Sequence, residues 1–585
     1  MSNIYNAIQN LYNMDKTTWQ EVLAELYNLV SNVENKFDLF ENKFGQLLGK
    51  EVTKELKKMY DDGSLASLIN DKLLKDIKTE VDAFKKNSVN WYNVSEYGVI
   101  MDGKTDNTIA LQTLIDNIDS GVIYFPAGVC LIKSVKIKSN MCLLGDGIGA
   151  SVIKRINGIK TTDYLSIDGT SLIDSYSKTN QLIQNFRIEN LTIDGNKYNT
   201  IINMSGIVQA WHNISIYNGE NIYITNCEIN NSIGNGINLR ACNNSIINNC
   251  RLNNCGYVTM VVFAKNAITV GGSYTSNDKT IYKDCVYNIQ NCYIDSCTDE
   301  GIYITNVTNC TVDKNHFKNI GEYAIEYGSQ DLASGSRVSI TNNTFDSTGN
   351  NCINLDESLN KSYIFIQNNI AKNIGNCTIK TNDLTCRFLR STGSNNQVEF
   401  SGNTIEANSS KFLQFIIFNG NINIINNKFI FNGSSRYPNI SCLYINQNSC
   451  VDISNNTFSD QLCYRCIQLS NQQVNSSVTI KDNNIINSEY GIYVTGTNGD
   501  TNTVNLRISN NNILANKAAI YFDSDEFKNV NICNNCLISN IGIDRNSSII
   551  NNLVVTNNIY NGNTFATSYI SKIQNKIMDN NLTSI

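Results

Sequence analysis

The sequence has little proline, histidine or charge. Only 2 of its 585 residues are proline, 2 are histidine, and 17% are charged, with a formal net charge of -6. The scarcity of proline excludes collagen-like and proline-rich linker classes. No Lys/Arg block occurs, so the electrostatic footprint of a nucleic-acid-binding protein is missing. We therefore expect no nucleic-acid partner, and neither a His-based catalytic triad nor a histidine zinc site.

Long apolar runs and a secretory signal are also lacking. The stretch MSNIYNAIQNLYNMDK has no basic segment followed by an apolar one, and no run of about 18 apolar residues occurs later. We expect neither Sec export nor membrane insertion. The 19 cysteines are scattered rather than paired as metal knuckles. We interpret most of them as buried thiols of a protein made in a reducing cytoplasm.

The first part of the chain, residues 1–89, has a helical pattern. Its apolar residues are spaced by three and four, which predicts an α-helical coiled coil in a parallel oligomeric stalk. The alternative is an amphipathic helix packed on its own chain. The apolar positions are Trp19, Val22, Leu26, Leu29, Val33, Phe37, Phe40, Phe44 and Leu47.

From residue 90 onwards, short alternating runs end in Asn or Gly, which is typical of many short strands. These runs repeat, mostly every 23 to 29 residues. A period of this length without intervening helices predicts an all-β parallel β-solenoid, with one repeat per turn. The leucine-rich consensus is absent. The equivalent turn positions are Cys227, Cys250, Cys292, Asn315, Asn343, Asn369, Asn403, Asn427, Asn456, Asn484, Asn511, Asn535 and Asn558.

Residues 96–155 carry the motifs EYG, DGKTDN, VIYFPAGVC and LLGDG. This stretch resembles the opening module of the pectate-lyase-like right-handed β-helix superfamily. Here Asp102 and Asp106 are expected to cap a loop and a short helix. The resemblance implies a right-handed parallel β-helix with its opening module at 90–160 and the remaining turns at 161–585, where a distinct C-terminal end is possible.

The N-terminal stretches NKFDLFENKFGQLLGKEV and LKKMYDDGSLASLINDKLL resemble the helical attachment segment of phage tail spikes and pre-neck appendage proteins. The resemblance implies a homotrimer in the virion, attached to tail or neck proteins through its N-terminal helices and synthesised in the bacterial host cytoplasm. Release by lysis accounts for the lack of an export signal. The resemblance also implies binding, and often cleavage, of a host surface polysaccharide such as wall teichoic acid or capsule.

Insertions between repeats indicate where a groove forms on a solenoid. Two candidate insertions, 265–280 and 328–336, flank CTDEGIYI at 297–304. Aligning GNGINLR, DEGIYIT, EYAIEYG and NNCINLD places isoleucines inward and one polar column outward. The outward positions are Asn238, Tyr303, Glu326 and Asn354, followed two residues later by Arg240 and Asp356.

The alignment places Glu326 and Asp356 one strand apart and two residues apart, which predicts a separation near ~8 Å. Inverting glycosidases hold their two carboxyl groups about 6.5 to 9.5 Å apart. Glu300 is expected on the same outward side, while Asp299 is expected mainly to cap the turn. The catalytic candidates are Glu326, Asp356, Glu300 and Asp299, and the substrate-binding candidates are Arg240, Tyr303, Tyr327 and Asn354.

Other functions stay open at this point. If the protein is a lyase, Asp299, Glu300 and Glu326 could hold Ca²⁺ while Arg240 abstracts the proton next to a uronate carboxyl. A hydrolase of the predicted type needs no cofactor. A non-catalytic adhesin would use the same face only to bind sugar, and a secreted bacterial lyase is disfavoured by the stalk and the missing signal.

Overall fold

The computed structural model describes Lys58 and residues 90–583, except 160–170, 176–180, 201–210, 257–264, 277–278, 329–335, 357–361, 380–385, 393–395, 409–411, 433–440, 447–449, 461–462, 471–475, 496–504, 524–525, 547–548, 567–572 and 574. The chain divides into two units after Asn90. Nearly all described residues belong to the second unit. The predicted helical stalk at 1–89 therefore lies outside the described residues, apart from Lys58.

The second unit is a right-handed parallel β-solenoid, which confirms the predicted fold class for this part of the chain. Its strands stack in three parallel ladders, here called faces 1, 2 and 3 in the order in which the chain visits them. Faces 2 and 3 join into one sheet because the long strands Asn484–Val494 and Asn512–Phe522 belong to both.

Face 1 consists of Trp91–Asn93, Gly121–Phe125, Met141–Gly145, Ile183–Glu189, Gly219–Thr225, Ser245–Asn248, Val286–Gln290, Asn309–Asp313, Arg337–Thr341, Tyr363–Gln367, Gln397–Ser401, Asn421–Ile425, Cys450–Ser454, Ser477–Lys481, Asn505–Ser509, Glu526–Cys533, Ile549–Thr556 and Asn575–Asp579.

Face 2 consists, besides the two shared strands, of Asp102–Asp106, Gly128–Ile132, Ser151–Arg155, Thr192–Asp194, Glu228–Asn230, Arg251–Asn253, Tyr293–Asp295, His316–Ile320, Thr344–Thr348, Ile370–Lys372, Thr404–Ala407, Lys428–Phe431, Thr457–Asp460, Cys536–Ile538, Ile559–Asn561 and Leu582–Thr583.

Face 3 consists, besides the shared strands, of Val135–Lys136, Ile173–Asp174, Ile214–Tyr217, Ile237–Arg240, Ile268–Gly271, Ile302–Thr305, Ile325–Gly328, Asn351–Leu355, Cys386–Ser391, Phe412–Asn419, Ser441–Asn446, Arg465–Ser470, Ile541–Arg545 and Thr564–Ala566. An antiparallel hairpin, Ser273–Ser276 with Lys279–Tyr282, projects from this ladder.

The opening module has the predicted local caps. The Asp102 carboxylate accepts hydrogen bonds from the backbone N–H groups of Lys104 and Thr105, both at 2.8 Å. Asp106 accepts from Thr108 N–H at 3.0 Å, at the start of the α-helix Thr108–Asn117. Two 3₁₀ helices, Val94–Tyr97 and Lys197–Asn199, complete the described helices. No helix in the described part of the chain is long and apolar enough to span a membrane.

The turn between faces 1 and 2 is built on an asparagine ladder. In each Asn-Asn pair the first residue has positive φ, as at Asn426 (57°), a conformation that asparagine tolerates. The second side chain points inward: Asn427 N–H donates to Asn456 Oδ1 at 2.9 Å, and its Nδ2 donates to Phe400 O at 2.9 Å. The ladder members are Asn315, Asn343, Asn369, Asn403, Asn427, Asn456, Asn483, Asn511, Asn535, Asn558 and Asn581.

One predicted ladder position was wrong by a residue. The member is Asn483, not Asn484, because Asp482 takes the positive-φ position (58°) in the sequence KDNN. At the start of the ladder, Cys292 N–H donates to Asn315 Oδ1 at 2.9 Å. Cys227, Cys250 and Cys292 continue the same inward column. All 19 cysteines are free and most are buried, which confirms their interpretation as buried thiols.

Candidate functional site

The repeat next to CTDEGIYI differs from the prediction. Ile268–Gly271, assigned to an insertion from sequence, is a strand of face 3 that pairs with Ile237–Arg240 on one side and with Ile302–Thr305 on the other. The hairpin Ser273–Ser276 with Lys279–Tyr282 is inserted after this strand. The predicted second insertion begins at Gly328, which ends a face 3 strand; residues 329–335 lie outside the described part.

The register of the neighbouring strands confirms the predicted column from Tyr303 to Asn354, but inserts Thr269 between Asn238 and Tyr303. Tyr303 pairs with Glu326, and Glu326 pairs with Asn354. The column then continues to Arg390. The corresponding inward residues, Ile302, Ile325 and Ile353, are 0% exposed. Alternation therefore sets four polar side chains in a row along face 3, about 4.8 Å apart.

Asn354 links the two strongest catalytic candidates. Its Nδ2 donates to Glu326 Oε1 at 3.0 Å and to Asp356 Oδ1 at 3.3 Å. The side chain is 1% exposed, so it forms the floor beneath the carboxylates. Two oxygens that share one donor at these distances lie at most about 6.3 Å apart, below the ~8 Å estimated from strand spacing alone.

Glu326 has the protonation behaviour of a general acid. Burial and the nearby charges of Asp356, Glu322 and Asp299 together raise its pKa from 4.5 to about 7, while the hydrogen bond from Asn354 opposes them. About half of the Glu326 carboxyl groups are then protonated at neutral pH. A carboxylic acid in that state can donate a proton to a leaving group.

Glu300 lies beside this pair, at the turn that leads into face 3. It stands three residues before Tyr303 and ahead of the strand that begins at Ile302, so strand alternation does not fix its direction. Burial, together with the charges of Asp299, Glu326 and Glu322, raises the pKa of Glu300 well above its usual value. Asp299, Glu300, Glu322 and Glu326 therefore form one electrostatic cluster.

Asp299, expected mainly to cap the turn, forms an ion pair with Lys265. The Asp299 Oδ2 to Lys265 Nζ distance is 3.4 Å, and both side chains are largely buried. The pairing favours a structural role for Asp299 over a catalytic one.

Arg240 and Tyr303 border the carboxylates from the preceding strands. The Arg240 guanidinium extends across Gly271, where an added Cβ would lie 2.8 Å from Nη1. Burial raises the pKa of Tyr303, the Glu326 charge raises it further, and Arg240 opposes the shift. The Tyr303 hydroxyl reaches towards Gly328, on the next strand. Both predicted binding residues therefore lie in the site.

The prediction that Tyr327 binds substrate was wrong. Tyr327 follows Glu326 in the strand, so alternation turns it inward. It is 0% exposed, and its hydroxyl is hydrogen-bonded to Ser362 Oγ at 2.8 Å inside the solenoid.

Four residues of the site were missed from sequence: Glu322, Tyr323, Arg387 and Arg390. Tyr323 lies one turn beyond Glu300, and its electrostatic neighbours include Glu322, Glu326 and Arg390. Burial lowers the pKa of Arg387, and the adjacent Arg390 charge lowers it further. The signal was present, because CRFLRS alternates and continues the column after NNCINLD, but the sequence alignment stopped at Asp356.

The acids do not form a metal cage. In the described part of the chain, no group of three or more His, Cys, Asp or Glu side chains is arranged to hold a metal ion. Asp299 is paired with Lys265, and Asn354 occupies the space between Glu326 and Asp356. Asp299, one of the three Ca²⁺ ligands considered for a lyase, is thus engaged by Lys265.

Comparison with known families supports the predicted resemblance. The model of the family described as rhamnogalacturonase A/epimerase, pectate lyase-like, matches residues 91–303. This part of the chain is therefore pectate lyase-like, as its opening motifs predicted.

Individual relatives match over shorter stretches. The mannuronan C5-epimerase AlgE5 of Azotobacter vinelandii is 34% identical over 133 residues, which is 21% of this chain and 12% of that protein. The pre-neck appendage protein of Bacillus phage B103 is 29% identical over 191 residues, 32% of this chain and 20% of that protein. The chain thus spans a small part of these relatives. The N-terminal fragment of bacteriophage Phi29 gene product 12 is similar in structure, with a TM-score of 0.46 and 16% identity over 83% of this chain and 90% of that chain.

Proposed function

We propose that the protein is a phage tail or neck appendage whose face 3 cleaves glycosidic bonds in a host surface polysaccharide. The observation that carries the activity is the Asn354 amide, which holds Asp356 beside Glu326, an acid whose pKa is raised to about 7. The phage appendage relative supports the virion location. As part of the same proposal, the chain is a homotrimer attached through residues 1–89.

In this mechanism Glu326 donates its proton to the oxygen of the leaving sugar. The nearest oxygens of Glu326 and Asp356 are at most about 6.3 Å apart, below the window of about 6.5 to 9.5 Å that leaves room for water in inverting enzymes. Asp356 therefore attacks the anomeric carbon, and Glu326, now ionised, activates the water that releases the sugar. Arg240 and Tyr303 orient the sugar from the preceding strands.

The activity is tested by measuring reducing ends released from capsular polysaccharides and wall teichoic acids of Gram-positive bacteria. We expect Glu326→Gln and Asp356→Asn each to reduce release by about 10²- to 10⁴-fold, and the first-formed product to retain its anomeric configuration. Glu406→Gln is a matched control, since Glu406 Oε1 also accepts from an asparagine Nδ2, at 3.1 Å, but on face 2. Unchanged release in both site variants would exclude this site.

A second candidate is proton abstraction next to a uronate carboxyl, favoured by the relative named as a mannuronan C5-epimerase. Here Tyr303 is the proposed base; burial raises its pKa, and the Arg240 charge opposes that rise. A lyase gives an unsaturated product that absorbs ultraviolet light, and an epimerase changes the polymer without releasing reducing ends. Tight binding with neither change would identify an adhesin.

A further inference from the structure

A second group of side chains lies on face 3, well beyond the carboxylates. Four tyrosines, here called the tyrosine cluster, come together there: Tyr464, Tyr490, Tyr493 and Tyr521. Tyr493 and Tyr521 stand in the same outward column as Glu326. The column runs from Glu326 through Asn354, Arg390, Ile417, Tyr444 and Gln468 to Tyr493 and Tyr521. Six strand steps separate Glu326 from Tyr493, or about 29 Å.

The rings of the cluster take two orientations. Tyr493 and Tyr521 stack with centroids 4.9 Å apart and planes 23° apart. Because they occupy adjacent turns, this stack follows the solenoid axis. Tyr490 is nearly perpendicular to Tyr493, at 82°, so its plane runs along the axis. A chain lying lengthwise on face 3 would meet the Tyr490 ring parallel to its own direction.

Polar groups surround these rings. The Arg465 guanidinium lies 4.1 Å from the centre of the Tyr493 ring, and Lys517 Nζ lies 2.5 Å from Glu489 Oε2. The Tyr493 hydroxyl donates to Asp523. Tyr490 and Tyr521 are half-buried, so parts of both rings reach solvent. Flat apolar surfaces beside hydrogen-bonding groups match the two kinds of surface that a sugar presents.

We propose that the tyrosine cluster is a remote binding site for a sugar segment of the polysaccharide that occupies the carboxylate site. This inference rests on the proposed function, and deepens it by making the substrate long enough to extend over about 29 Å of face 3. The cluster contributes binding along the chain and touches no reacting atom. An oligosaccharide too short to reach from Glu326 to Tyr490 cannot occupy both sites at once.

The test measures binding without turnover, in the Glu326→Gln background. Capsular polysaccharides and wall teichoic acids of Gram-positive bacteria are the long probes, and size-fractionated fragments are the short ones. We expect Tyr490→Ala together with Tyr521→Ala to weaken binding of long chains about tenfold or more, and to leave binding of short fragments at the carboxylate site unchanged. Thermal unfolding shows whether the solenoid stays folded, and Tyr490→Phe keeps the ring as a second variant.

Tyr363→Ala is the matched control, because Tyr363 is 46% exposed but lies on face 1. Equal long-chain binding in the double alanine variant and this control overturns the tyrosine site while leaving the proposed cleavage intact. If the tyrosines contribute to long-chain binding but the wild type cleaves none of the probes, the proposed cleavage is overturned and the tyrosine site stands. If the wild type binds no probe, both inferences fail.

Discussion

The ionisation of Glu326 gives a pH dependence that can be worked out in sign and size. The folded protein holds this proton with a pKa of about 7, against 4.5 for the ordinary carboxyl. If Glu326 is the general acid, kcat/KM falls tenfold for each pH unit well above 7. The same group affects the free energy of unfolding. Because the folded protein holds the Glu326 proton more tightly than the unfolded chain does, the wild type is most stable relative to Glu326→Gln below pH 4.5.

The size of this stability change follows from the linkage between protonation and folding. The difference of about 2.5 between the two pKa values of Glu326 corresponds to roughly 3 kcal/mol, because each pKa unit is worth about 1.4 kcal/mol. Glu326 is half-buried, and solvent screening reduces the expected effect to about 1–2 kcal/mol. The wild type should lose that much unfolding free energy, relative to Glu326→Gln, as pH rises from 4.5 to 7. Chemical unfolding of both proteins at several pH values measures this difference.

The neighbours of Glu326 move its pKa in opposite directions. Asn354→Ala removes a hydrogen bond to the carboxylate and should move the alkaline limb to higher pH. Asp356→Asn removes a negative charge. At about 6 Å and an effective dielectric constant of 20 the interaction is roughly 3 kcal/mol, and screening leaves a downward pKa shift of about one unit. The unfolding measurement reports this shift even where the variant is inactive. Shifts of the same sign in both variants would refute the assigned causes.

Two further predictions concern the ladder and the groove. Asn483→Ala should lower the unfolding free energy by about 2–4 kcal/mol, because Asn483 Oδ1 accepts from both the backbone N–H and Nδ2 of Asn456. The control Asn484→Ala should lower it by under about 1 kcal/mol. Equal unfolding midpoints for the two variants would contradict the ladder. Gly271→Ala should weaken polysaccharide binding several-fold by displacing Arg240, whereas Gly328→Ala, whose Cβ meets only ordinary contacts at 3.8 Å or more, should not; a binding isotherm compares them.

The fold was predictable because two local rules repeat along the chain. Alternation places isoleucines inward on face 3, and Asn-Asn pairs mark the turn between faces 1 and 2. The errors arose where one rule is ambiguous. KDNN offers two possible registers for the ladder, and ITVGG looks like a loop because glycines and a polar hairpin follow the strand Ile268–Gly271.

The candidate site was predictable only for residues inside a strand, where the alternation of side chains decides whether each one faces inward or outward. Alternation placed Tyr303, Glu326 and Asn354 correctly, and the same rule, applied to Tyr327, would have turned that ring inward. Glu300 and Tyr323 stand at the turn that precedes each strand. Their side chains follow the path of the turn, which no period-2 rule describes.

The distance between Glu326 and Asp356 shows what strand arithmetic leaves out. Register gives the positions of the backbone atoms, and these predict a separation near ~8 Å. Side chains then bend towards a common partner, because the Asn354 amide has two N–H bonds and both carboxylates can accept one. That shared donor brings the oxygens within about 6.3 Å and changes the expected stereochemical outcome from inversion to retention. Burial is the main cause of the raised pKa of Glu326; the nearby Asp356 charge adds to it, and the Asn354 hydrogen bond opposes both. Asn354→Ala should therefore alter the spacing and the acidity of the pair together.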